Sequence, residues 1–258
     1  MITIHDFAKS YGDVKILQDI ELKVDTGEAL VLIGPSGCGK STLLRHVAGI
    51  EDESSGPFSG RIDVGDVQDL LRWPEQKLLH QRIRGNRIGM LFQEGALFDF
   101  CNVEENLSWP LRENHKLSPT EILDRIQSTL EQVEMHRIRG LLSKEIRELS
   151  GGQKRRIALA RSLLLEPDTM LYDEPTAGLD PPVAMDIAKL IRRLSESRGL
   201  TSITATHDMN SARIIADRVC FMRDGQIRFI GRIDECETHP EIRHFLQGEV
   251  DYAAQTIQ

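Results

Sequence analysis

Nowhere in the 258 residues does an apolar run approach the ~18 consecutive residues that cross a membrane, and aromatic residues make up only 5% of the chain. The opening Met1-Ile2-Thr3-Ile4-His5-Asp6 has neither a basic stretch nor an apolar core, so neither a secretory leader nor integral insertion is expected. Basic charge is also in short supply. Lys and Arg number 32 against 40 Asp and Glu, which gives a net charge of -8. Tight sequence-independent binding to nucleic acid needs a basic field to displace counterions, so no nucleic-acid partner is expected. Cysteine is sparse, at positions 38, 101, 220 and 236, with no C-x-x-C and no Cys/His ligand spacing. The four read as reduced thiols, not as a disulfide framework or a structural zinc site. Internal repeats and low-complexity segments are absent.

What is present is enough for a full core, since 40% of residues are hydrophobic and 28% charged. One domain with a subdomain fits this length. The chain is organised around Gly34-Pro35-Ser36-Gly37-Cys38-Gly39-Lys40-Ser41-Thr42, set between the apolar run Ala29 to Ile33 and a helical run Leu43 to Ala48. This is G-x-x-x-x-G-K-[ST] in the context the motif requires, a buried strand running into a helix. The glycines let successive N–H groups turn toward one point that the helix N-terminus also faces, a cradle for a β/γ-phosphate pair. Lys40 adds a compact positive charge and Ser41 a hydroxyl for Mg²⁺.

Along the chain, short alternating runs at Ile2/Ile4 and Ile20/Leu22/Val24 read as strands joined by tight turns, opening a mixed sheet with Ala29 to Ile33. Residues 51–60 read as a polar loop, Arg61 to Val67 as a strand, and 68–84 as a charged helical stretch. Ile88 to Phe92 is a short strand ending at Gln93. Residues 102–165 read as wholly helical, in pieces Val103 to Leu107, Pro119 to Val133, Lys144 to Glu148 and Gly152 to Leu165. Beyond Pro167, strands at Thr169 to Tyr172 and Thr201 to Thr206 alternate with helices at Pro182 to Arg198 and Met209 to Ala216. A hairpin of Val219 to Met222 and Ile227 to Ile230 follows, turning at Asp224-Gly225. Such alternation gives parallel βαβ crossovers.

Leu149-Ser150-Gly151-Gly152-Gln153 opens a long helix. Ser150 stands as N-cap, and Gly151 and Gly152 leave the helix N-terminus bare, so a hydroxyl, backbone N–H groups and a helix dipole all face an anion. A chain with two sites built for the γ end of a nucleotide satisfies both on one ATP by pairing head to tail with a second copy.

Here the sequence resembles the ATP-binding cassette family, whose signature reads LSGGQ, over residues 2 to 247. The resemblance implies an α/β P-loop NTPase with a RecA-like core and mixed sheet, an antiparallel β subdomain and an inserted helical subdomain. A single cassette would occupy 1–248, with core 1–94 and 166–235, helical subdomain about 95–165, and a tail at 249–258. It implies ATP and Mg²⁺ and a homodimer with head-to-tail sites. It further implies that Asp173 and Ser41 hold the Mg²⁺ shell, that Glu174 is general base on the attacking water, and that Gln93 senses Mg²⁺ and water. By the same resemblance His207 contacts the γ-phosphate, Asp180 in Ala177-Gly178-Leu179-Asp180 reaches the partner site, and Tyr11 stacks on adenine.

The run Gly89-Met90-Leu91-Phe92-Gln93-Glu94-Gly95-Ala96-Leu97-Phe98-Asp99, with Asn102-Val103-x-x-Asn106 and Pro110-Leu111-Arg112-Glu113, is similar to the Mla/Mkl type of cassette. That likeness implies phospholipid-type transport between bacterial envelope membranes with an Mce-type binding protein. The chain would sit on the cytoplasmic side of the inner membrane, peripheral through an integral permease. The alternatives are the ATPase of an amino-acid or sugar importer, and a non-transport cassette. Leu97, Phe98, Phe100 and Trp109 form an apolar cluster suited to gripping a permease helix, with ordinary core burial as the alternative reading, above all for Trp109.

Overall fold

The computed structural model describes residues 1–51, 56–73, 87–114 and 117–246. In chain order the first half runs β1 (Ile2–Tyr11), β2 (Val14–Val24), β3 (Ala29–Ile33), α1 (Lys40–Val47), β4 (Phe58–Val64), β5 (Ile88–Leu91), α2 (Val103–Asn114) and α3 (Pro119–Gln132). The second half runs α4 (Gly151–Leu163), β6 (Thr169–Asp173), α5 (Pro181–Arg198), β7 (Thr201–Ala205), α6 (Met209–Ile215), β8 (Arg218–Arg223), β9 (Gln226–Gly231), α7 (Ile233–Thr238) and α8 (Pro240–Leu246).

Every residue of β3, β6 and β7 is buried, because the sheet they share is covered on both faces. Its order is β5-β6-β7-β3-β8-β9, parallel except for the β8–β9 hairpin. Alternate side chains go to opposite cores. Val31, Ile33, Met170, Tyr172, Val219 and Phe221 face the core shared with α4 and α5, whereas Leu30, Leu32, Leu171, Ile203 and Met222 face the one shared with α1.

β1 and β2 do not join this sheet. They pair with β4 in a separate antiparallel sheet of order β2-β1-β4, the antiparallel β subdomain the resemblance implies, so of residues 1–33 only β3 opens the mixed sheet. The reason lies in their pattern: β1 and β2 bury alternate residues and need one covered face, while β3 is apolar throughout. β4 also begins earlier than the expected Arg61, since Phe58 and Ser59 pair with Lys9 and Ala8 across a bulge. Of the helix expected at 68–84, the described residues hold a 3₁₀ turn at Leu70–Arg72, and 74–86 lie outside them.

Nor is 102–165 wholly helical. Lys144 to Glu148 is not a helix; single 3₁₀ turns at Leu141–Ser143 and Ile146–Glu148 stand there instead. Gly140 enters at φ +67°, Asn102 bridges Glu145, and the Glu148 carboxylate accepts the Glu145 N–H at 2.7 Å. Local polar bonds of this kind compete with helix propagation. All four cysteines are free, and no helix among the described residues is long and apolar enough to cross a membrane.

Candidate active site

The loop 34–39 leaves the C-terminal end of β3 and enters α1, the edge at which parallel α/β sheets present their ligands. Gly34, Gly37 and Gly39 hold φ of +149°, +81° and +104°, which L side chains rarely adopt. A Cβ on Gly34 would strike the Met222 carbonyl, so glycine is required there for space as well as for φ. Lys40 is buried in the curl of the loop, its Nζ donating to the carbonyls of Gly34 at 2.8 Å and Pro35 at 3.0 Å. Pro35, Ser36 and Cys38 complete the loop, with the Cys38 thiol buried and pushed up by that burial.

β6 delivers two carboxylates to the same edge. Ser41 Oγ donates to Asp173 Oδ1 at 2.7 Å, and burial raises the Asp173 carboxyl above its ordinary range, an effect that the Ser41 bond opposes. One hydroxyl beside one buried carboxylate suits a magnesium ion that keeps waters and phosphate oxygens as its remaining ligands. Among the described residues no three His, Cys, Asp or Glu side chains gather into an all-protein metal cage. Glu174, the next residue, sits at φ +47°, a left-handed conformation of the kind that costs a non-glycine residue about 1 kcal/mol. Its amide is fixed by the Ala205 carbonyl at 2.9 Å. Its Oε2 lies 3.0 Å from His207 Nδ1, a close contact between a mostly buried carboxylate and an exposed imidazole. His207 follows β7 just as Glu174 follows β6, so adjacent strand ends bring the pair together.

Tyr11 ends β1 beside Thr42, its hydroxyl donating to the Glu51 carboxylate, and burial with this acidic partner pushes its pKa up to about 12. Ser150 caps α4 in a reciprocal box: its Oγ accepts the Gln153 N–H at 3.3 Å, and Gln153 Oε1 accepts the Ser150 N–H at 3.0 Å. The glycines behind it have a second purpose that spacing did not reveal. A Cβ on Gly152 would lie 2.6 Å from Val183 Cγ1, and one on Gly151 3.2 Å from Leu179 Cδ2, so they let α4 approach the start of α5 closely.

Within the chain, Lys40, Ser41, Asp173, Glu174 and His207 thus converge. Asp180 is the N-cap of α5, yet its side chain makes no capping bond and is exposed. Gln93 is exposed beyond β5, with no side-chain hydrogen bond among the described residues. Two residues went unnoticed in the sequence. The guanidinium of Arg155, buried on α4, donates to the carbonyls of Phe92 at 3.1 Å, Gln93 at 2.5 Å and Ala177 at 3.3 Å. Arg161 donates to those of Gly95 at 3.2 Å and Ala96 at 2.7 Å, and lies over the Phe98 ring. The run Lys154-Arg155-Arg156 gives no hint which of its cations turns inward.

The aromatic cluster is a surface, which settles the alternative raised for Trp109. Phe100 is 85% exposed and Trp109 54%, with both rings packed at a tilt against Phe98. Phe98 and Trp109 rim a groove of about 480 Å³ that Ile50, Met90, Phe92, Pro110 and Leu165 also line.

A family model described as ABC transporter matches residues 17–177, more than half the chain. The sulfate/thiosulfate import ATP-binding protein CysA of Methylococcus capsulatus is 39% identical over 242 residues, covering 93% of this chain and 65% of that protein. The sn-glycerol-3-phosphate import ATP-binding protein UgpC of Ruegeria pomeroyi is 35% identical over 240 residues, covering 93% and 63%. The chain therefore spans just under two thirds of the length of these curated relatives. Among solved structures, the dimeric cassette MJ0796, described as a bacterial ABC transporter cassette, superposes with a TM-score of 0.80 at 29% identity, covering 90% of this chain and 99% of that one. CbiO1 of Clostridium perfringens, part of the cbiONQ transporter complex, gives 0.79 at 30% identity, covering 96% and 98%. Sequence and fold agree: the chain belongs to the ABC transporter family and has the fold of its ATP-binding cassette.

Proposed function

We propose that this chain hydrolyses ATP as the motor subunit of an importer for a small solute, working as a homodimer on the cytoplasmic side of the cell membrane through an integral permease. The observation that carries the chemistry is the convergence of Lys40, Ser41, Asp173, Glu174 and His207 at one edge of the sheet. Lys40 and the 34–39 amides hold the β- and γ-phosphates. Ser41 and Asp173, with Gln93, would hold Mg²⁺, which neutralises charge on the phosphate oxygens. Water attacks the γ-phosphorus, the bond to the β–γ bridging oxygen breaks, and Glu174 takes the proton of the attacking water. His207 orients the Glu174 carboxylate and reaches the γ-phosphate, and Tyr11 stacks on the adenine.

The second half of each site comes from the partner copy. Ser150, Gly151, Gly152 and Gln153 present a capped helix N-terminus to the γ-phosphate, and the uncommitted carboxylate of Asp180 crosses the seam. The solved cassette MJ0796 is dimeric, and a second structure of it is described as a post-hydrolysis state bound to ADP and Pi, which supports this arrangement. The exposed groove at Phe98 and Trp109, with Phe100 against Phe98 beside it, is the seat for a permease helix.

For cargo, the relatives named for sulfate/thiosulfate and glycerol-3-phosphate import favour a small-solute importer. Lipid transport with an Mce-type protein is the second reading, resting on the Gly89 to Asp99 run and its likeness to Mla/Mkl cassettes. Affinity purification from detergent extract of the native cell separates the two. A permease with a solute-binding protein is the expected catch; an Mce-domain protein transfers the assignment to lipid, and recovery of no integral membrane protein refutes both.

A further inference from the structure

Arg155 has no place in the chemistry above, yet its guanidinium is buried and burial lowers its pKa. The partners it holds are three backbone carbonyls, from two separate loops. A buried cation that faces no carboxylate among the described residues is a poor way to stabilise a core, where an apolar side chain of the same volume is often as good or better. The three carbonyls are informative. Those of Phe92 and Gln93 belong to the segment that leaves β5 toward the aromatic groove, and that of Ala177 opens the loop that ends at Asp180. Arg155 itself stands within two turns of the Ser150 cap. One side chain therefore joins a residue serving the chain's own nucleotide, Gln93, to the two features presented to the partner's nucleotide, Ser150 and Asp180. Two turns further along α4, Arg161 fastens Gly95 and Ala96 and stacks on Phe98.

We propose that Arg155 is a positioning residue that fixes Gln93, the 177–180 loop and the α4 N-terminus as one rigid unit, so that ATP in one site sets the geometry offered to the other. This inference rests on the head-to-tail dimer proposed above. Its five N–H donors in a planar fork allow one residue to serve three acceptors; lysine, with a tetrahedral ammonium, cannot span the same set. The groove, held to the same helix by Arg161, is thereby connected to the dimer seam through α4.

The test compares Arg155→Met with the parent chain. ADP affinity reads the 34–42 loop alone and is expected to stay within about twofold, whereas kcat is expected to fall about tenfold or more and the Hill coefficient for ATP to drop toward one. In a Glu174→Gln background, ATP-induced dimerisation measured by light scattering is expected to weaken by about tenfold. Arg155→Lys, which restores the charge and one set of donors without the fork, should recover an intermediate kcat. If Arg155→Met does not fold, the Lys variant carries the comparison. Unchanged kcat, Hill coefficient and dimerisation overturn the proposal, and so does a loss of ADP affinity that matches the loss of turnover, which marks a merely structural residue. Failure of Glu174→Gln itself to dimerise with ATP instead refutes the dimer on which the inference rests.

Discussion

At the scale of single residues, Glu174 combines an unfavourable backbone angle with a contact to His207, so its carboxylate is held where strand and loop put it. Glu174→Gln keeps the shape and removes the proposed proton acceptor. Turnover in a phosphate-release assay should fall by about a hundred- to ten-thousand-fold while ATP still binds, the range expected on losing a general base. Tyr11 offers a test in pH. Burial and Glu51 raise its pKa from 10.0 to about 12, so the fold favours the neutral hydroxyl. Its contribution to stability is complete below pH 10 and is lost as pH climbs from there through about 12. A phenolate absorbance titration, with Tyr11→Phe identifying the step, should show Glu51→Gln moving it back toward 10. Tyr172, buried in the sheet and raised further by that burial, should ionise last.

At the scale of elements, α4 lies so close to α5 that Gly152→Ala must push Val183 aside. Overpacking of this kind costs about 1–3 kcal/mol, and Val183→Ala in the same chain should recover much of it in urea unfolding. This packing also marks the limit of what the sequence discloses. Ser150 could be read as an N-cap because capping is local, and β3 as a buried strand because five consecutive apolar residues need two covered faces. The loop at 34–42 was legible for the same reason, since its glycines answer to backbone angles within the motif. The contact of Gly152 with Val183 spans 31 positions and leaves no trace in either neighbourhood. The same holds for Arg155, whose carbonyl partners lie 62 and 63 residues before it and 22 after. Lys144 to Glu148 departs in the opposite sense: its charged and apolar spacing fits a helix, but Gly140 and the Glu145–Glu148 box confine it to one turn.

At the scale of the whole molecule, the chain carries its phosphate loop at one end of β3 and its LSGGQ segment at the start of α4, and in the proposed dimer each nucleotide takes one from either copy. Symmetry makes this testable without any variant that completes a site. Lys40→Ala disables a protomer's loop but leaves its Ser150 to Gln153 segment intact; a bulky Ser150→Phe does the reverse. Each homodimer then lacks a whole site and should be inactive. In an equimolar mixture about half the dimers are mixed, and each of these pairs one sound loop with one sound signature, so about a quarter of parental ATPase activity should return if the sites turn over independently. Coupling between sites, as proposed for Arg155, lowers that fraction, and adding Arg155→Met to both chains should bring it back toward the independent value relative to the Arg155→Met parent. A mixture with no activity at any ratio argues against the composite site. Restored activity with a size-exclusion profile that stays monomeric in ATP argues against a stable clamp, and leaves the second half of the site to be supplied by transient encounters.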